Sequence, residues 1–163
     1  MLIGGYALAA YGQLRATQDI DMAIAASYEK SVELASHLEK QGYQISPKPD
    51  PDAPFFLVTD RKLMLEIELW TKPDGVVFDA ELMRRRVRVK PFNDDFEMFA
   101  IGPEDFIVNK LARDDRGVQD ELDAASVLEL QKGKLGYTYL KKRAKHADVL
   151  SLLDTLTQKL ENQ

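Results

Sequence analysis

The sequence predicts an α/β (α+β) protein, a small mixed sheet flanked by helices and followed by a helical C-terminal part. Three observations carry this. Stretches 19–24 and 63–70 alternate apolar and polar residues, the period of a strand whose side chains two apart share a face. Stretch 28–41 is amphipathic at helical spacing behind a capping residue, Ser27. From Pro103 onward the chain reads as helices, ending in a segment with Leu150, Leu153, Leu156 and Leu160 at helical intervals. The 163 residues divide accordingly into a core, 1–102, and a helical extension packed on it, 103–163.

Taken in order, Gly4-Gly5 precede a run of good helix formers, Tyr6 to Tyr11, which Gly12 is placed to stop. Arg15 to Gln18 lead into the strand Asp19-Ile20-Asp21-Met22-Ala23-Ile24, with Ile20, Met22 and Ile24 facing the core. Helix 28–41 ends at Gly42, and 46–54 is a loop stiffened by Pro47, Pro49, Pro51 and Pro54. Strands 55–59 and 63–70 form a hairpin about Asp60-Arg61-Lys62. In the second, Leu63, Leu65, Ile67 and Leu69 make one face, and Met64, Glu66, Glu68 and Trp70 the other. A short helix over 79–86, a short strand over 87–90 cut off by Pro91, and a last strand over 96–101 complete the core. Pro103 then takes the first helical position, with Glu104 and Asp105 in the first turn.

Composition narrows the function. Hydrophobic residues at 45% suffice for a core, and 30% charged residues describe an ordinary aqueous surface. No apolar run is long enough to span a bilayer, and the opening Met-Leu-Ile-Gly-Gly is no signal sequence, so no membrane partner is expected. The absence of cysteine excludes disulfides and thiolate metal sites and fits a cytoplasmic location. His37 and His146 read as surface groups. Net charge is −5, so no global field attracts nucleic acid. Two local basic runs, 84–90 and 141–145, read first as solvated edges. If the first faced an acidic cleft, it would hold a polynucleotide by its phosphates.

The chemistry concentrates near the start. Asp19 and Asp21 share a strand face, and two adjacent carboxylates repel unless a cation lies between them. A hard divalent ion such as Mg²⁺ prefers oxygen ligands and leaves positions open for phosphate oxygens. Gly4 and Gly5, ahead of a helix, offer backbone N–H groups and close approach to an anion. Each motif alone is commonplace: paired glycines usually make a turn, and an Asp-x-Asp strand usually faces water.

Gly4-Gly5, the short helix, Gly12, Arg15, Thr17 and Asp19-Ile20-Asp21, in that order, resemble the signature of the DNA polymerase β-like nucleotidyltransferases, and within them the small prokaryotic AbiEii-like toxins. The resemblance implies a nucleotidyltransferase-like sheet in which Gly4 and Gly5 hold a triphosphate and Asp19 and Asp21 bind two Mg²⁺ ions. It also implies a third acid on a later strand, serving as metal ligand and general base; Glu66 fits its position best and Glu68 is the runner-up. The family usually has aspartate there, one methylene shorter. Lys110 would touch the triphosphate, with Arg116 and Asp120 or Asp123 bordering the nucleotide; the alternative is that Arg116 and Asp123 form a structural ion pair that fixes two helices. Arg15 occupies a family position of structural character. The implied activity moves a nucleoside monophosphate from an NTP to a hydroxyl on an acceptor, tRNA or protein, with release of pyrophosphate, in a toxin–antitoxin setting. The alternative is a non-catalytic nucleotide-binding or interaction protein that keeps the fold. Family members usually carry a helix and most of a strand before the glycine turn, where this chain has only Met1-Leu2-Ile3. Either the first strand is short and that helix missing, or the start lies upstream; a missing helix would expose a sheet face and favour a homodimer.

Overall fold

A computed structural model describes residues 1–13, 16, 17, 19–90 and 95–162. Its fold is mixed α and β, as the sequence predicts. Strands β1 (Ile20–Ala23), β2 (Gln44–Ile45), β3 (Phe55–Asp60) and β4 (Leu65–Trp70) form one sheet in the order β1-β4-β3-β2. The β1–β4 pair is parallel and the others antiparallel. Strands β5 (Val87–Val89) and β6 (Met98–Ala100) form a separate antiparallel pair.

Met1-Leu2-Ile3 joins the two sheets. Leu2 bridges antiparallel to Met22 and parallel to Ala100. The backbone bonds Ile3 N–H to Asp21 O at 2.9 Å and Ile101 N–H to Leu2 O at 2.8 Å tie both sides. These three residues do the work of a strand without the length of one.

Two of the helices start where an N-cap side chain satisfies a free amide. Helix α1 (Gly4–Leu8) continues as a 3₁₀ turn, Ala9–Tyr11, and stops at Gly12, whose φ of 94° only glycine adopts without strain. Ser27 Oγ caps α2 (Tyr28–Lys40) by accepting from Lys30 N–H, and Asp79 caps α3 (Ala80–Arg85) by accepting from Leu82 N–H at 2.8 Å. Pro103 opens α4 (Pro103–Ala112), followed by α5 (Val118–Leu130), α6 (Tyr137–His146) and α7 (Leu150–Glu161).

The chain departs from the sequence expectation in the hairpin. Leu63 and Met64 continue the alternating pattern yet lie outside β4, 74% and 84% exposed. The Asp60 side chain is the cause: Oδ1 accepts from Lys62 N–H at 2.8 Å and Leu63 N–H at 3.1 Å, so a local turn captures amides a longer ladder would have used. The strand expected over 96–101 shortens to β6. Pro91 and Arg15, to which the sequence assigns roles, lie outside the described residues.

One hydrophobic core unites the early and late parts of the chain. Leu2, Leu8 and Leu82 pack in the same cluster as Phe106, Ile107, Leu140 and Leu153. A smaller cluster, Ala35, Ile45, Phe56, Val58 and Leu69, forms beneath α2, whose Leu34 and Leu38 pack against it. Among the described residues no helix is long and apolar enough to cross a membrane.

Candidate functional site

The register of the one parallel strand pair builds the site. Asp21 of β1 stands directly opposite Glu68 of β4, and the two carboxyl groups hydrogen-bond. Asp19, two residues before Asp21, adds its negative charge from the same side. Burial, then the bond to Asp21 and the charges of Asp21 and Asp19, push the Glu68 carboxyl up to about 7; a hydrogen bond from Trp70 Nε1 at 3.0 Å opposes them. Glu66 lies two residues nearer the hairpin turn, opposite Thr59 of β3, and is exposed outside this group. The acid set against the aspartate pair is therefore Glu68, not Glu66, because the inter-strand register, invisible in β4 alone, selects it.

The glycine turn meets the acids. Gly4 has φ +62°, and a Cβ built on it would stand 1.9 Å from Asp21 Oδ2. The carboxylate thus lies against a bare Cα, at a backbone angle that favours glycine. Gly5 faces the adjoining cleft, an open space of about 550 Å³ lined by Gly5, Thr17, Asp19, Asp21, Glu68, Lys110, Arg113, Gln119 and Asp120. Another depression, of about 220 Å³, lies between the start of α2 and the proline loop around Pro49 and Pro51. The cleft beside Gly5 is the candidate by its chemistry rather than its size, since a depression of about 600 Å³ by Val77 and His146 gathers no such set of acids.

Helices α4 and α5 supply the cleft's positive charge and its far wall. Lys110 is only 4% exposed, its Nζ 2.9 Å from Asp120 Oδ1 and 3.3 Å from Asp123 Oδ2. Asp123 is fully buried and also accepts from Gln119 Nε2 at 2.8 Å. Arg116 does not make the pair expected with Asp123; it reaches Glu121 at 3.6 Å and donates to the Leu111 carbonyl at 2.7 Å. Lys110 takes that place because it projects from α4 directly onto α5.

Arg113 is the residue that sequence reasoning missed. It forms a two-point pair with Asp115, Nε–Oδ1 2.9 Å and Nη2–Oδ2 3.0 Å, and lines the cleft. Its position three residues beyond Lys110, immediately past the end of α4, was the signal available. Neither basic run lines the cleft. In the first, Arg85 meets Glu104 at 3.2 Å, Arg86 lies over the Phe99 ring and Arg88 meets Glu97 at 3.0 Å. In the second, Arg143 is buried against Asp79 and Asp105, and Lys142 meets Glu81. His37 and His146 are exposed, as expected.

Among the described residues no three histidine, cysteine, aspartate or glutamate side chains converge tightly enough to hold a metal ion as they stand. Asp21 and Glu68 meet, and Asp19 stands off. The donors suit a hard cation nonetheless. All are carboxylate oxygens, and Glu68 carries a raised affinity for a proton that a divalent ion between the acids would replace. No protein-family model matches the chain, and no curated protein matches it.

Proposed function

We propose that this chain is a Mg²⁺-dependent nucleotidyltransferase, which moves a nucleoside monophosphate from an NTP to a hydroxyl acceptor with release of pyrophosphate. The observation that carries this reading is the contact of Gly4, Asp21 and Glu68: a glycine turn and two acids from three stretches of chain, meeting at one end of a cleft. A solvated acidic strand face needs no buried glycine at its base. Asp19, Asp21 and Glu68 would hold Mg²⁺, which when bound neutralises the triphosphate and stabilises charge during displacement.

The chain's own groups have separate tasks. Gly4 and Gly5 let the triphosphate approach the backbone. Arg113 offers its guanidinium to the phosphates, since its partner Asp115 is 74% exposed and such a pair is easily exchanged. Lys110 keeps α4 and α5 together and contributes charge from beneath. Glu68 takes the proton of the attacking hydroxyl as general base, from its place opposite Asp21. The acceptor is an RNA end or a protein hydroxyl, and the setting a toxin–antitoxin pair.

The second reading, a nucleotide-binding protein without transfer activity, draws on the enclosure of Lys110 by two aspartates, which leaves less cationic charge for a triphosphate. Calorimetric titration with ATP, GTP, CTP and UTP, with and without Mg²⁺, followed by transfer of α-labelled nucleotide to total RNA and protein, separates the two. Transfer that is abolished in Asp19→Ala and Asp21→Ala is the expected result. Mg²⁺-enhanced binding without transfer supports the second reading, and absence of both overturns each of them.

A further inference from the structure

We propose that Trp70 is a positioning residue for Glu68: its indole N–H holds one carboxylate oxygen, so that the other is presented to Asp21 and the cleft. This rests on the reading of Asp19, Asp21 and Glu68 as cation ligands.

Glu68 and Trp70 are two residues apart on β4 and share a face. Trp70 Nε1 donates to Glu68 Oε2 at 3.0 Å, while the Glu68 carboxyl also bonds Asp21 across the strand pair. One carboxyl group is thus held from two sides. The indole is itself held. Phe55 stands directly opposite Trp70 in the β3–β4 ladder, and the two rings pack with centroids 4.6 Å apart at 34°. Backbone bonds from Thr71 and Lys72 N–H to the Pro54 carbonyl close the end of that ladder just beyond it.

The need for such a clamp follows from the length of glutamate. Its terminal torsion is broad, so an unrestrained carboxylate samples many directions, and ordering it costs entropy. The shorter Asp19 and Asp21 have less freedom to lose. Indole N–H is a donor only and neither binds a cation nor carries a transferable proton here, so Trp70 acts solely through Glu68. The same donor also favours the ionised carboxylate, the form that binds metal.

The test uses Mn²⁺, whose free ion is counted by electron paramagnetic resonance, and the variants Trp70→Phe and Glu68→Asp singly and together. Phenylalanine keeps a ring on Phe55 and removes the donor. Aspartate at 68 ends one methylene short of the indole, so the donor no longer matters. Trp70→Phe is expected to weaken Mn²⁺ binding about tenfold when Glu68 is present, as loss of a ligand-orienting partner does, and less than twofold in Glu68→Asp. An independent readout needs no change at position 70, because Trp70 is the only tryptophan. Adding Mg²⁺ is expected to shift its emission in the parent and leave it unchanged in Glu68→Asp. Equal loss in both backgrounds, or no loss in either while the parent binds Mn²⁺, overturns the role of Trp70 alone. A parent that binds no Mn²⁺ overturns the cation reading and this proposal with it.

Discussion

Gly4 separates a chemical requirement from a conformational one. At φ +62° any other residue is strained by roughly 1–3 kcal/mol, and here a Cβ would also run into the Asp21 carboxylate. Gly12 has the same kind of backbone, φ +94°, but nothing within 4 Å of a Cβ. Gly4→Ala should therefore lose both stability and Mg²⁺-dependent nucleotide binding, whereas Gly12→Ala loses only stability. Urea unfolding beside calorimetric titration checks this, and nucleotide binding retained in Gly4→Ala would remove the turn from the site. Lys110 poses the opposite case, a buried charge rather than a buried Cα. Removing it takes the ammonium from between Asp120 and the fully buried Asp123, so Lys110→Met should cost about 3–5 kcal/mol in denaturant unfolding. Adding Asp120→Asn and Asp123→Asn should recover part of the loss. A loss confined to activity, with stability unchanged, would instead make Lys110 a ligand group first.

At the level of elements, strands and helices were legible where the chain carries its own local instruction. Ser27 and Asp79 announce helices by capping them, Pro103 opens α4, and the alternation of 65–70 gives β4. What was not legible is what depends on a second segment. The choice of Glu68 over Glu66 follows from the offset of β4 against β1, and the partner of Lys110 from the packing of α4 on α5. Leu63 and Met64 misled because the pattern ran on past a turn set by Asp60. The same dependence on packing governs the junction of α4 with α6. There Tyr139 Oη donates to both oxygens of buried Asp105, at 2.9 and 2.8 Å, and Arg143 Nε donates to Tyr139 Oη at 2.8 Å. Burial pushes Asp105 up to about 6 against the pull of Tyr139 and Arg143. A folded value above the unfolded one means that the stabilising contribution is complete below about pH 4 and lost as pH rises through about 6. Tyr139→Phe removes a donor to the ionised form, which should cost about 1.5–3 kcal/mol at pH 8 and much less at pH 4. Denaturant unfolding at the two pH values checks this, and an equal cost at both would show that the ring, not the hydroxyl, matters.

The whole molecule titrates and unfolds through these same contacts. Glu68, raised to about 7 by burial and by Asp21 and Asp19, adds to the loss of metal-free stability between about pH 4.5 and 7, in the same direction as Asp105. Thermal melts should therefore show Tm falling across that interval, with Glu68→Gln removing the upper part of the fall and leaving the Asp105 part. Cooperativity is the last property at this scale, and the packing of residues 103–163 decides it. Leu153 of α7 is 2% exposed and shares its cluster with Leu2, Leu8 and Leu82, so the late helices complete the core of the early sheet rather than owning one. A chain built this way should unfold in one step. Trp70 reports from β4, and far-UV circular dichroism reports chiefly on the helices, so the two probes should give coincident transitions in denaturant. Leu153→Ala, which opens a cavity where α7 meets that core, should lower both midpoints together by the equivalent of about 2–5 kcal/mol. A helical signal that is lost first, with the Trp70 transition unmoved, would mean that 1–102 stands without its extension.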